Sequence, residues 1–301
     1  MLNRQQGILV GFGALALLLL FCFGEQRKPF DPNAPSTAMP AGRQGQTAQT
    51  PQTPIPRHIP DIDMTKLIEN IKKKLSNNQR AQMEQAEKKA QDTTANITTR
   101  TKALEALATE WDQARYPEVS AYYYQRIAQN DSSAQRWLQA ADRLSIAFKI
   151  ADDTSMQQYM LDQAVKAYQK TIAIDSTQTE ARIGLASLYI DGYADQTNMV
   201  MQGVFMLRDV VAKDSTNINA NLVLARAAIT SGQYDKAIDR LQRLIKQYPD
   251  NSEAYYYLGE AYSAVGEKEN AINALKECKK RTKNPTFVRE LDNIINKLLN
   301  T

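Results

Sequence analysis

Residues 218–251 read INANLVLARAAITSGQYDKAIDRLQRLIKQYPDN, and residues 252–285 read SEAYYYLGEAYSAVGEKENAINALKECKKRTKNP. When these two blocks of 34 residues are aligned, small residues meet small residues and large apolar residues meet large ones. The matched pairs are Leu224 with Leu258, Ala225 with Gly259, Gly232 with Gly266, Ala237 with Ala271, and Leu241 with Leu275. Each block contains two helical periods of about twelve residues separated by its glycine. The pattern therefore predicts two consecutive helix–turn–helix units.

The small residues of each block indicate where its two helices approach each other. Ala225 and Ala237 take these positions in the first block, and Gly259 and Ala271 take them in the second. A glycine at the end of the first helix can adopt the left-handed conformation that closes a helix. One such hairpin cannot bury its apolar face alone, so we expect several to stack.

The 34-residue period resembles the tetratricopeptide repeat (TPR). The second block carries the fuller pattern, and Pro249 closes the first block. The resemblance implies an all-α, TPR-like α-solenoid. We predict that it covers residues 95–301 with about five helix pairs, regular repeats at 218–251 and 252–285, and a capping helix at 286–301. The residues that carry the pattern in the second block are Tyr255, Leu258, Gly259, Tyr262, Ala271 and Leu275.

The earlier pairs are degenerate. The first places Trp111 in an aromatic core slot, and the next two are longer than a regular repeat. We interpret the extra residues, at 149–158 and 191–198, as turns that protrude from one edge of the solenoid. The capping helix is expected to bury one apolar face, made by Phe287, Leu291, Ile294, Ile295 and Leu298.

Residues 63–92 predict one amphipathic helix capped by Asp63, with an apolar stripe that runs from Met64 to Leu75. Two interpretations stay open. The helix packs loosely on the first repeat, or it docks a partner or a second copy of the chain.

The N-terminal residues 1–24 contain an uncharged run at about residues 7–24, GILVGFGALALLLLFCFG. Eighteen helical residues span about 27 Å, enough to cross a bilayer core. Bulky residues before Cys22 disfavour a cleaved signal peptide and a lipoprotein, so we expect a transmembrane anchor. The flanking charges, Arg4 against Arg27 and Lys28, are nearly balanced. The short tail before the anchor favours an exported body.

Residues 25–62 are rich in Pro, Thr and Gln and contain eight of the eleven prolines. Because this segment has few apolar residues to form a core, we predict that it is a disordered linker. Its prolines favour extended conformations. We expect this linker to act as a spacer between the membrane and the folded body.

The sequence offers no catalytic set. His58, the only histidine, lies in the linker, and Cys278 takes a core slot of the second block. We find no metal-ligand spacing and no glycine-rich phosphate loop. The net charge of +4 is dispersed, so nothing indicates nucleic-acid binding. We predict a non-enzyme without metal or cofactor.

The resemblance places a binding groove on the first helix of each pair. Transferring the repeat positions one at a time gives the candidates Glu180, Ser187, Asn219, Arg226, Glu253, Tyr256 and Glu260. We predict a membrane-anchored scaffold that binds a protein or peptide. One alternative is an exported accessory or chaperone-like subunit of a secretion or envelope-assembly complex. The other is an enzyme whose site lies on the inserted turns.

Overall fold

A computed structural model describes residues 59–92 and 96–300 of the chain. These residues form thirteen α-helices, and no strand occurs among them, which confirms the all-α prediction for this part of the chain. The helices are α1 Met64–Lys72, α2 Asn77–Gln91, α3 Ile97–Gln113, α4 Pro117–Asn130, α5 Ala134–Ile150, α6 Thr154–Ile174, α7 Thr179–Gly192, α8 Thr197–Lys213, α9 Ile218–Thr230, α10 Tyr234–Gln247, α11 Ser252–Ala264, α12 Lys268–Arg281 and α13 Pro285–Asn300.

The described residues fall into two compact units that divide between Ala220 and Asn221, inside α9. In the first unit, α3 packs on α4, α5 on α6, and α7 on α8. In the second unit, α11 packs on α12, which also contacts α13. The predicted domain 95–301 therefore spans two units, and residues 63–92 belong to the first. The element order contains the five predicted helix pairs, α3 to α12, followed by the capping helix α13.

Two glycines end first helices in the predicted left-handed conformation. Gly232 has φ 73° and Gly266 has φ 83°. The next residue after each glycine donates its N–H across the turn, to Ala228 O at 2.8 Å and to Tyr262 O at 2.9 Å respectively. This pattern satisfies carbonyls that the helix end leaves without partners. The first pair makes the same turn with Arg115, at φ 65°.

The predicted close approach of paired helices is confirmed at the small residues. Ala225, Ala237 and Ala271 are fully buried. A Cβ atom added at Gly259 would lie 2.7 Å from Leu275 Cγ, which is closer than carbon atoms pack. A side chain at position 259 would therefore push α11 away from α12.

Each unit has its own apolar core. The first unit holds two clusters. One, around Trp111, contains residues of α1 to α5, and the other, around Met160, contains residues of α1 and of α4 to α8. In the second unit, Leu275 and Cys278 pack with Leu291 and Ile295 of α13. Of the apolar face predicted for the capping helix, Leu291 and Ile295 are buried, Phe287 and Leu298 are partly buried, and Ile294 is 36% exposed.

The prediction of one helix over residues 63–92 is wrong, because the segment forms α1 and α2. Ser76 begins α2 with a capping box: its Oγ accepts from Gln79 N at 3.3 Å, and its own N–H donates to Gln79 Oε1 at 3.2 Å. This reciprocal pair satisfies N–H groups at a helix start and so favours a new helix at residue 77. Asp63 caps α1 as expected, accepting from Lys66 N at 3.1 Å.

Both N-terminal helices are part of the first unit's core. Ile68 and Ile71 of α1 and Met83 of α2 join the cluster around Trp111, and Met64 joins the cluster around Met160. The interpretation that this segment packs on the first repeat is confirmed. The packing is tight rather than loose, because Met83 is only 2% exposed.

A buried polar network fastens α1 and α2 to α4. The Lys72 ammonium pairs with Glu87 on α2 and with Glu69. Glu87 also accepts a hydrogen bond of 3.2 Å from Tyr123 Oη on α4. Burial alone would lower the pKa of Lys72, but the two carboxylates outweigh it and hold that pKa above its ordinary value. The cation therefore stays charged inside the fold.

The extra residues lengthen helices more than the prediction of protruding turns allowed, although residues 193–196 do form a turn. Residues 149–158 extend α5 to Ile150 and let α6 begin at Thr154, so only three residues connect the two helices. Residues 191 and 192 complete α7, residues 193–196 form the connecting turn, and residues 197 and 198 begin α8. A helical turn satisfies the backbone hydrogen bonds that a loop of the same length would leave to solvent.

The predicted anchor, at residues 7–24, lies outside the described residues, as does most of the linker 25–62. Within residues 59–92 and 96–300, no helix is both long and apolar enough to span a bilayer.

We predict that Gly259→Val lowers the free energy of unfolding by about 1–3 kcal/mol, because its side chain overlaps Leu275. Ser263→Val, at an exposed site on the same helix, is the control for placing a valine on α11 without overlap. Urea denaturation followed by circular dichroism measures both. Equal losses in the two variants would contradict the close approach of α11 and α12.

We also predict that Lys72→Met destabilises α1 by about 3 kcal/mol, because it leaves the Glu87 carboxylate buried without its cation. The double variant Lys72→Met/Glu87→Met should regain most of this loss, and Lys73→Met, at an exposed site, should change little. Amide hydrogen exchange of α1 and α2 reports the effect. A single variant as well protected as the Lys73 control would show that the ion pair does not hold α1.

Candidate partner-binding face

In the second unit, three candidate residues lie along one side of α11. Glu253, Tyr256 and Glu260 follow each other at intervals of three and four residues, which places them on one helix face. The Tyr256 ring packs against Phe287 of α13, with centroids 5.5 Å apart, and against Tyr257 at 5.4 Å. The aromatic rings therefore connect α11 to the capping helix.

Polar contacts run through the same rings. Tyr256 Oη donates to Glu260 Oε1 at 2.9 Å. Arg226, on α9, acts electrostatically on both Glu260 and Tyr257, and the Glu253 carboxylate helps to raise the pKa of Tyr257. The four candidates of this unit are thus brought together with two further residues. We call this set the Tyr256 face: Arg226, Glu253, Tyr256, Tyr257, Glu260 and Phe287.

Burial raises the pKa values of three side chains of this face, Tyr256, Tyr257 and Glu260. It raises the pKa of Glu260, and the Tyr256 hydroxyl and Arg226, which favour the charged form, only partly offset it. Burial also raises the pKa of Tyr257 to about 12 and raises that of Tyr256, which the neighbouring Glu260 carboxylate raises further. Both tyrosines are therefore neutral donors at pH 7, and ionised Glu260 is less stable here than in water.

The remaining candidates lie in the first unit, where each pairs with a neighbour. Glu180 Oε2 accepts from Asn219 Nδ2 at 3.1 Å, which links α7 to α9. Ser187 Oγ and Asp191 Oδ2 lie 3.2 Å apart on α7. Glu180, Ser187 and Asn219 therefore already have hydrogen-bond partners within the protein.

In the second pair, Asp142 occupies the repeat position that Ser187 occupies in the third. Asp142 accepts a hydrogen bond of 2.8 Å from Tyr168 Oη. Gly184 makes room for that ring, because a Cβ atom there would lie 2.3 Å from Tyr168 Cζ. Tyr168 therefore reaches across from the second helix of its pair to a position on the first.

Sequence reasoning missed Tyr257 and Phe287. Phe287 follows Glu253 by 34 residues, so the same transfer of repeat positions would have found it had α13 been treated as a further first helix. Tyr257 gave no such signal, because it lies beside the transferred positions and joins the face only through its contacts.

The described residues offer little for covalent or metal chemistry. Cys278 is fully buried, and burial raises the pKa of its thiol to about 11, so it stays protonated. Among residues 59–92 and 96–300, no group of three His, Cys, Asp or Glu side chains could hold a metal ion. Of the inserted residues proposed above as an alternative catalytic site, 149–158 lie mostly within helices, and half of 191–198 form the turn between α7 and α8.

Residues 222–282 match the family model for the tetratricopeptide repeat, and a search of curated proteins gave no match. Among solved structures, the chain is similar to a thermophilic TPR protein from Thermus thermophilus, with 13% identity and a TM-score of 0.53. That match covers 67% of this chain and 100% of the other. The chain is therefore a TPR-like helical protein with a TPR segment at residues 222–282.

Two further solved structures are also similar. One is PilW, a type IV pilus biogenesis factor, with 18% identity and a TM-score of 0.49 over 68% of this chain and 88% of that one. The other is a tetratricopeptide repeat protein from Parabacteroides merdae, with 14% identity and a TM-score of 0.48 over 78% of this chain and 97% of that one.

We predict that Glu260→Gln stabilises the second unit more at pH 7 than at pH 4. The raised pKa of Glu260 means that its contribution to stability is complete while it is protonated and is lost as the pH rises through that pKa. Glutamine can still accept from Tyr256 and does not ionise.

The measurement is urea denaturation of both proteins at the two pH values. Glu269→Gln, which removes an exposed carboxylate from α12, is the matched control. An advantage of Glu260→Gln that is larger at pH 4 would show that Arg226 and Tyr256 outweigh the cost of burial.

Proposed function

We propose that this protein is a membrane-anchored scaffold that holds a partner protein or peptide against the first helices of its TPR-like pairs and carries out no chemistry itself. The observation that carries the proposal is the Tyr256 face. It gathers aromatic, acidic and basic side chains from α9, α11 and α13 on one side of the second unit.

Two features support a binding role for this face. Tyrosine and arginine are enriched where protein interfaces concentrate their binding energy, because they combine apolar area with hydrogen-bonding groups. The face also keeps a carboxylate in a position where ionisation costs stability. Strained or unfavourable groups of this kind are retained most often at functional sites.

The anchoring part of the proposal rests on the sequence of residues 7–24, an uncharged run of bilayer length, and on the linker 25–62 that follows it. We propose one membrane span, with the two helical units on the exported side.

Crosslinking in intact membranes tests the scaffold. The full chain should enrich a specific protein, and Tyr256→Ala should lose most of that yield, whereas Glu269→Gln should keep it. Absence of any enriched partner would reject the scaffold. A crosslinked translocon or envelope-assembly component would favour the alternative role as an exported accessory subunit of such a complex.

A topology reporter fused after Thr301 tests the anchor. A phosphatase that is active only outside the cytoplasm should be active, and a version that lacks residues 7–24 should lose both this activity and the membrane fraction. An inactive reporter on a membrane-bound chain would reverse the orientation.

A further inference from the structure

We propose that the Tyr256 face binds a segment of a partner protein that presents a lysine or arginine side chain beside an aliphatic one. This inference rests on the proposed function, since it specifies the chemistry of the partner that the face accepts.

The charge of the face favours a cation. On α11, Glu253 and Glu260 flank the Tyr256 ring, and on α13 Glu290 lies three residues after Phe287, on the same side of the helix. Arg226 is the one basic residue of the face, and it acts electrostatically on Glu260. Lys297 lies ten residues beyond Phe287, about 15 Å along α13. Among the side chains on the same helix faces as the two rings, carboxylates therefore outnumber cations.

The rings offer a second attraction for a cation. Tyr256 and Phe287 pack with centroids 5.5 Å apart, and both remain partly exposed. An ammonium or guanidinium group over an aromatic ring is attracted to its electron-rich face. The protein already uses this contact nearby, where Arg281 lies 4.3 Å from the centroid of the Tyr255 ring.

Glu260 supplies the directional contact. Its Oε1 accepts from Tyr256, and a carboxylate has further lone pairs with which to accept from a cationic donor. A cation placed there would stabilise the charged form that burial disfavours. Binding would thus relieve a cost that the free protein carries.

The partner is expected to present an aliphatic side chain because two isoleucines at the edges of the face are at least partly exposed. Ile294 lies seven residues after Phe287, on the same side of α13, and is 36% exposed although the cap was expected to bury it. On α9, Ile229 lies one turn beyond Arg226 and is partly exposed. An aliphatic side chain next to the cation could cover either isoleucine.

The test selects random dodecamer peptides displayed on phage against the full chain in detergent micelles. The expected result is enrichment of lysine or arginine next to an aliphatic residue, over aspartate and glutamate. The consensus peptide is then synthesised with both ends blocked, and its affinity is measured by fluorescence anisotropy. Enrichment of acidic or purely apolar peptides, or no selected peptide, would overturn the proposal.

Variants locate the binding site. Glu260→Gln should weaken binding of the consensus peptide about tenfold, because the cation of the peptide then donates to a neutral amide instead of a carboxylate. Replacing the cation of the peptide with citrulline should weaken binding to the wild type similarly, with little further loss in Glu260→Gln. Glu269→Gln should stay within about twofold of the wild type. Circular dichroism checks that each variant is folded.

Two outcomes separate this inference from the scaffold function. If Glu260→Gln keeps both the crosslinked partner and the peptide affinity, the scaffold stands and the basic-segment proposal fails. If the crosslinked partner disappears in Tyr256→Ala but the selected peptides are rich in aspartate and glutamate, the face binds a partner of opposite charge, and the proposal is again overturned.

Discussion

Close approach of paired helices underlies the packing of both units of this protein. A helix hairpin with one apolar face gains little unless its two helices pack closely and a neighbour covers the remaining surface. Ala225, Ala237 and Ala271 are fully buried at these contacts, and Gly259 leaves no space for a Cβ beside Leu275. Fixing the distance between helices also fixes which side chains of successive first helices meet on the surface.

The N-terminal helices cover the apolar end of the first unit. The apolar side of α3 and α4 would face water without α1 and α2, which supply Ile68, Ile71 and Met83 to its core. A buried ion pair between Lys72 and Glu87 joins this apolar cover. Such a pair stabilises little in itself, but it penalises any arrangement that separates the two charges. It therefore favours one position of α1 on the fold.

The Tyr256 face shows how a repeat scaffold can hold an unfavourable group. The α11 helix packs on α12, which contacts α13, and the Tyr256 ring meets Phe287 of α13. Glu260, which accepts from Tyr256, is partly buried on the same face. The same burial that disfavours its charge would strengthen its attraction to a cationic side chain, because water screens the interaction less.

Local sequence was enough to specify the helix pairs, the left-handed glycines at 232 and 266, the small residues at helix contacts and the buried slots of Trp111 and Cys278. These features follow from local periodicity, which repeats every 34 residues in the regular blocks. A capping box at Ser76 and Gln79 was also present in the sequence and would have separated α1 from α2. Tertiary packing, by contrast, specified the division at residue 220, the Lys72 network, and the meeting of Tyr257 and Phe287 with the predicted residues. Such contacts join side chains on different helices, so they depend on distances and rotamers that no spacing along the chain specifies.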